Sequence, residues 1–408
     1  MNRSCCIFFY EGHISIAPTI ISLVNSLSEQ GYRVFLYSTK HNLSTFKIPN
    51  ERTVAVYFPK GYDIPAINKI YTFLGIIKLG MLVRVIELFL FLLQSTFYTF
   101  KNYDFILPKN SIIIGVDANG SIASLLNFYF FKRKFAYLSL EIYPPKYFGK
   151  LARIIKWLEC LAYRKAECVI IQDEDRFKSL GEFNNYHHSK VFYLPNSTMS
   201  CDDVNQNFTD SNYLRNILKL SDKDFPYIII QAGMICDEVF SQELASAFRF
   251  INNGSALVLH EKEKRDVKEP YIKSLRETNS HNLFLSLQPL PFERLNEVFD
   301  SATIGLAFYK NINHNFGQIA KASGKLSFYL KYGKPVLVNN LESLSTLVEK
   351  YKIGVVIQNP SDPVEIQLAI ERILNNYSFF SNNARFCFAE EFDFAKKAKP
   401  FMSYITSW

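Results

Sequence analysis

The sequence predicts an α/β protein made of two Rossmann-like, doubly wound domains facing a central cleft. Three observations predict it. Apolar runs of strand length alternate with segments of helical periodicity. That alternation is interrupted by a polar stretch, Thr198–Asp224, rich in Asn, Asp and Ser, and then begins again. The length, 408 residues, suits two or three domains at roughly 150 residues each.

The first half opens with CCIFFY (5–10), apolar throughout as a strand covered on both faces must be. After EGHISIAP, the stretch TIISLVNSLSEQGY sets Ile20, Ile21, Val24, Leu27 and Ser28 at helical spacing, and Gly31 suits the helix end. RVFLYST (33–39) follows as a strand and completes a βαβ unit. Residues 66–100 are very apolar but carry Lys69, Lys78, Arg84 and Glu87. The longest uncharged piece, Leu88–Phe100, falls short of the roughly 20 residues that a spanning helix needs. Two readings stay open: one or two core helices of the domain, or a monotopic patch in a membrane interface. Strands resume at NSIIIGVD (110–117), FAYLSLE (135–141) and ECVIIQD (167–173), with the helical GKLARIIKWLECLAYRK before the last. KVFYLPNS (190–197) closes this half.

The second half repeats the pattern. FPYIIIQAGM (225–234) is a strand running into a glycine turn, and SQELASAFRFI an amphipathic helix. ALVLHE (256–261), NLFLSL (282–287), TIGLAFY (303–309), PVLVNN (335–340) and IGVVI (353–357) are strands. FERLNEVFDSA and SGKLSFYLKYG (323–333) are helices between them, and PSDPVEIQLAIERIL opens a C-terminal helical region.

Composition narrows the function classes. Hydrophobic residues at 48% and charged residues at 21% exclude a disordered chain. The balance of 46 basic and 38 acidic residues, +8, favours anionic partners such as phosphorylated ligands or an anionic membrane surface. The basic charge is diffuse, which argues against nucleic acid. Seven cysteines without a C-x-x-C pair suggest reduced thiols in the cytoplasm. The first apolar run is too short for a signal-peptide core. Neither a Walker loop nor a G-x-S-x-G elbow occurs.

The segment ASGKLSFYLKYGKPVLVNN (322–340) resembles the donor-binding helix and following strand of GT-B glycosyltransferases of the family-4 type. The matching positions are Ser323, Lys325, Tyr329, Leu330, Gly333, Lys334, Pro335 and Val336. YLPNS (193–197) resembles the turn leaving the first domain in that family, and YIIIQAGM (227–234) the first strand and glycine turn of its donor domain. The resemblance implies that Gly233, Met234, Ser323, Gly324, Lys325 and Tyr329 bind a nucleotide-sugar donor, without a metal. The physics agrees for one part. A helix that begins with small residues lets an anion approach its free N–H groups, and Lys325 in the first turn would neutralise a departing diphosphate. The chain departs from the family at two places. The Glu-x7-Glu pair, whose second member binds the donor ribose, is replaced by Ala320 and Phe328, and the Arg usual after the glycine turn is Met234. Lys310 or Lys321 would assist Lys325.

In doubly wound sheets ligands bind beyond the C-terminal strand ends. In the first domain Gly12 and His13 follow the first strand, Asp117 ends the strand NSIIIGVD and Glu141 ends FAYLSLE. Gly12 would allow close approach of a ligand, and His13, Asp117 or Glu141 would orient an acceptor hydroxyl or take its proton. Asp-x-Asp occurs at Asp173–Asp175 and Asp222–Asp224, but no ligand spacing around either supports a metal.

The expectation is therefore an enzyme, a glycosyltransferase, with residues 1–197 as acceptor domain, 198–385 as donor domain, and 386–408 packing back on the first. The resemblance implies retention of configuration and a glycan or lipid-linked acceptor in cell-surface polysaccharide assembly, with peripheral membrane contact through 66–100. A nucleotide-sugar epimerase or hydrolase of the same fold, and a non-catalytic binding protein, are the alternatives.

Overall fold

A computed structural model describes residues 3–10, 14, 17–40, 51–76, 80–144, 150–199 and 212–408. The chain divides into two compact units, Met1–Pro195 with Phe394–Trp408, and Asn196–Asp393.

The first unit is a seven-stranded parallel sheet of β1 (Ser4–Phe9), β2 (Arg33–Thr39), β3 (Thr53–Phe58), β4 (Ser111–Val116), β5 (Phe135–Leu138), β6 (Cys168–Ile171) and β7 (Val191–Tyr193). Their order is β3-β2-β1-β4-β5-β6-β7. In the centre Cys6 pairs with Phe35 on one side and Ile113 on the other. Every residue of β1 and β4 is buried, which is why both read as unbroken apolar runs rather than alternating ones. The helices are α1 (Pro18–Glu29), α2 (Pro65–Ile76), α3 (Gly80–Lys101), α4 (Tyr103–Ile106), α5 (Asp117–Phe131), α6 (Lys150–Lys165) and α7 (Glu174–Asn184). Pro18 stands in the first turn of α1, where its missing N–H costs nothing.

The second unit has six parallel strands, β8 (Tyr227–Gly233), β9 (Ser255–Glu261), β10 (Leu283–Ser286), β11 (Ile304–Ala307), β12 (Val336–Asn339) and β13 (Gly354–Ile357). Their order is β10-β9-β8-β11-β12-β13. Around them lie α8 (Tyr213–Leu218), α9 (Ser241–Phe248), α10 (Pro270–Arg276), α11 (Leu295–Asp300), α12 (His314–Gly317), α13 (Gly324–Lys331), α14 (Glu342–Tyr351), α15 (Pro363–Asn375) and α16 (Tyr377–Cys387). Two apolar layers, one on each face of the sheet, form its core. The last helix, α17 (Phe394–Ile405), belongs to the first unit. It packs on α1 and β7, with Phe192 against Phe401 and Tyr404 at 5.5 and 5.2 Å.

Both sheets reverse direction once, between β1 and β4 and between β8 and β11. Such reversals open a crevice at the C-terminal strand ends. Several strands end earlier than the sequence suggests. β4 stops at Val116 because Asp117, at φ 53, turns the chain directly into α5. β5 stops at Leu138, so Glu141 stands in the loop beyond it. The edge strand β3 has no counterpart in the sequence reading, since TVAVYF is only partly buried. Residues 66–100 form two helices. By length and composition Leu82–Lys101 could reach across a membrane. Its inner face is buried instead, with Phe91, Ser95 and Thr99 covered and the buried Glu87 accepting from the Gly61 N–H at 2.8 Å.

Candidate functional site

In the second unit the crevice is built from the ends of β8 and β11 and the start of α13. Gly233 ends β8 at φ 114, and no described atom lies within 4 Å of where a Cβ would stand. The turn therefore fronts open space in a conformation that only glycine adopts without strain. Behind it the chain is fixed. The buried Glu261 accepts from the Ile235 N–H at 3.0 Å, and Arg265 donates to the Ile235 carbonyl at 2.9 Å while bridging Glu261 at 3.2 Å. Past β11, the Tyr309 backbone and the Asn339 side-chain amide exchange two hydrogen bonds, each of 2.9 Å. The Tyr309 hydroxyl lies 2.5 Å from Ser323 Oγ. Ser323 in turn caps α13, its Oγ accepting from the Leu326 N–H at 3.2 Å. The first N–H groups of a helix have no partner within it, and here they belong to Gly324 and Lys325.

Lys325 is the centre of this arrangement. Its Nζ sits 4.3 Å from the centroid of the Tyr309 ring, and it forms no ion pair among the described residues. Burial pulls its pKa down to about 7, since a desolvated ammonium without a counter-charge is costly. The two expected assistants are committed elsewhere. Lys310 bridges Asp237 and Glu243, both at 2.8 Å, and Lys321 binds Glu391 at 2.7 Å. Of these three lysines, Lys325 alone has no acidic partner among the described residues.

Tyr329 needs correction. It is fully buried, its ring filling the space that Gly305 leaves by lacking a Cβ. Its hydroxyl accepts from the Ala232 N–H at 2.9 Å and donates to the Ile230 carbonyl at 3.1 Å. It ties α13 to β8 and presents nothing to a ligand. Phe328, at the position where the resembled family carries its ribose glutamate, stacks on Phe299 with centroids 4.7 Å apart and planes at 6°. That position is an aromatic core contact. Met234 is 40% exposed beside the open turn. Tyr309, Glu261 and Arg265 were not singled out from the sequence. Glu261 ends a strand in the same way as Asp117, and that was its signal.

In the first unit Asp117 is buried. Its Oδ1 accepts from the Leu140 and Glu141 N–H groups at 2.6 and 3.0 Å. The carboxylate therefore clamps the loop after β5, a role that competes with the expected one as a base. Glu141 is exposed, and Gly12 and His13 lie outside the described residues. Asp117 also lines a cavity of about 380 Å³. Asp173 caps α7, accepting from the Arg176 N–H, and Asp222 pairs with Arg215 at 2.9 Å. Among the described residues no cluster of His, Cys, Asp or Glu could hold a metal.

No family model matches the sequence, and no curated protein matches it. Solved structures do match. Sucrose-phosphate synthase from Thermosynechococcus elongatus superposes with a TM-score of 0.69 at 14% identity, over 100% of this chain and 99% of that one. Anabaena Alr3699/HepE in complex with UDP-glucose gives 0.70 at 13% identity, with both chains fully covered. WaaG, a glycosyltransferase involved in lipopolysaccharide biosynthesis, gives 0.61 at 10% identity over 98% of each chain. At these identities the similarity shows the fold, and the fold is GT-B: two parallel-sheet α/β units.

Proposed function

We propose that the protein is a glycosyltransferase that takes a sugar from a nucleotide-sugar donor bound in the second unit. One observation carries the reading: Lys325, its ammonium 4.3 Å from the centre of the Tyr309 ring and without an acidic partner among the described residues, in the first turn of α13. A diphosphate supplies the missing counter-charge. The first N–H groups of α13 and the Lys325 ammonium would receive it. As the sugar–phosphate bond breaks, negative charge grows on the leaving diphosphate, and a fixed cation there lowers the barrier. The fold similarity to a protein holding UDP-glucose supports a donor of this class.

The acceptor belongs to the first unit, and its class is a glycan or lipid-linked sugar of cell-surface polysaccharide assembly. WaaG, which shares the fold, acts in lipopolysaccharide biosynthesis. The site of action is the cytoplasm, at the inner face of the membrane. The outer face of α3 supports contact there: Phe89, Leu93, Phe97 and Phe100 each expose more than half of their surface along one stripe, and Lys101 follows. An apolar stripe ending at a lysine suits an anionic interface. Transfer with retention, the leaving phosphate helping to deprotonate the acceptor, is the mechanism we assign.

Incubating the protein with UDP-, GDP-, ADP- and CMP-sugars, with and without glycan and lipid extracts, tests this. One donor should release its nucleotide faster when extract is present, and Lys325→Ala should abolish the difference. Release that ignores the extract would favour a hydrolase or epimerase. No release with any donor would favour a binding protein.

A further inference from the structure

The second unit begins at Asn196, in the Pro-Asn turn of YLPNS (193–197). The Asn196 backbone N–H donates to the Lys321 carbonyl at 2.8 Å, and its side-chain amide donates to the Ala322 carbonyl at 3.0 Å. Ser197 is buried and donates to the Phe392 carbonyl. Thr198 Oγ1 accepts from Lys331 Nζ at 3.1 Å, at the last residue of α13. Asn196 and Thr198 thus reach the two ends of α13.

The two carbonyls held by Asn196 are the last before Ser323. They belong to a 3₁₀ turn, Ala320–Ala322, and Ser323 both ends that turn and caps α13. Glu391 grips the same turn by its side chain, binding the Lys321 ammonium at 2.7 Å. The Lys350 ammonium and the Tyr351 hydroxyl hold that carboxylate in turn. Glu391 stands in a π-helical turn, Phe388–Phe392, whose two phenylalanines are buried in the core. An eight-residue helix is too short to be stable by itself, so its direction is set by what holds its ends. The side-chain contact needs an amide at position 196. An aspartate of the same shape would set an acceptor against the Ala322 carbonyl.

We infer that Asn196 is a positioning residue of the nucleotide site: it fixes the turn before α13 and so aims Lys325 at the diphosphate. The role rests on the glycosyl-transfer reading above, which supplies the diphosphate. Binding groups must be held within about 0.5 Å of their working geometry. Lys325 against the Tyr309 ring, and Ser323 against the Tyr309 hydroxyl, are the contacts that a loosened turn would shift.

Calorimetric titration of UDP, GDP, ADP and CDP into the full chain tests the inference, and the nucleotide that wild type binds is the probe. A neutral hydrogen bond corresponds to roughly two- to tenfold in an equilibrium constant. Asn196→Ala should weaken the probe by about that factor at a temperature where its melting curve shows it folded. Thr198→Val loses a bond at the far end of the same helix and should bind the probe as wild type does, whatever its melting temperature. Residues that act through one contact are not additive, so Asn196→Ala should cost much less in a Lys325→Ala background. If Asn196→Ala does not fold, Asn196→Ser, whose hydroxyl is too short to reach Ala322, reads the same loss. Wild-type affinity in the Asn196 variant, an equal loss in Thr198→Val, or an undiminished loss beside Lys325→Ala would each overturn the inference and leave the donor site standing. No nucleotide binding to wild type would overturn the donor reading and the role of Asn196 with it.

Discussion

Lys325 is held beside an aromatic face at a pKa of about 7, and this makes its contribution to folding and to binding run in opposite directions. Its folded pKa is lower than the roughly 10.4 of an unfolded lysine. Below pH 7 it is charged in both states, and the folded state bears the full desolvation cost. As pH rises from about 7 toward 10 the folded protein sheds a proton that the unfolded chain keeps, and stability increases. Lys325→Met should therefore raise the unfolding temperature at pH 6, with the gain fading by pH 10, as calorimetry at the two values would show. Nucleotide affinity should do the reverse. A diphosphate binds the ammonium form, so its Kd should rise by up to about tenfold per unit above pH 7, and this slope should vanish in Lys325→Ala. Tyr329 gives the contrasting case. Tyr329→Phe leaves the Ala232 N–H without its partner, which costs about 1–3 kcal/mol for a buried donor. The melting temperature should fall while the Kd for nucleotide stays the same; a changed Kd with unchanged stability would put Tyr329 back at the ligand.

Elements were more legible than contacts. The central strands β1, β4, β8 and β9 are covered on both faces, and such strands leave a continuous apolar run in the sequence. The edge strand β3 is half-exposed, leaves a weaker pattern and was missed. The contacts of Tyr329 and Asp117 were hidden for a different reason. The Tyr329 hydroxyl meets an amide 97 positions away, and the Asp117 carboxylate meets N–H groups 23 and 24 positions on. Neither partner is visible to local spacing. Lys325 was legible because its chemistry is local: a lysine in the first turn of a helix capped by its own Ser323. For α3 the charges that argued against a membrane span, Arg84 and Glu87, turn inward to the cavity and to the Gly61 loop. The outward stripe stays apolar. The double variant Phe89→Asp, Phe97→Asp should release the protein from phosphatidylglycerol vesicles in a sedimentation assay and leave UDP binding unchanged. Equal sedimentation of variant and wild type would remove the membrane role of this helix.

At the scale of the molecule, the same crevice occurs twice, once in each sheet, and each holds one cation without an acidic partner among the described residues: Arg84 in the first unit and Lys325 in the second. We assign the second to the donor diphosphate, and the glycosyl-transfer reading depends on that assignment. The most direct test is a calorimetric titration of UDP into wild type and Lys325→Ala at pH 7, with Arg84→Gln as control. A ligand at about 100 times its Kd stabilises the native state by about 2.7 kcal/mol, so a parallel melting curve shows that each variant is folded and whether it is occupied. Wild type should bind UDP saturably, Arg84→Gln with the same affinity, and Lys325→Ala about tenfold or more weakly. Equal UDP affinity in wild type and a folded Lys325→Ala protein would contradict the assignment.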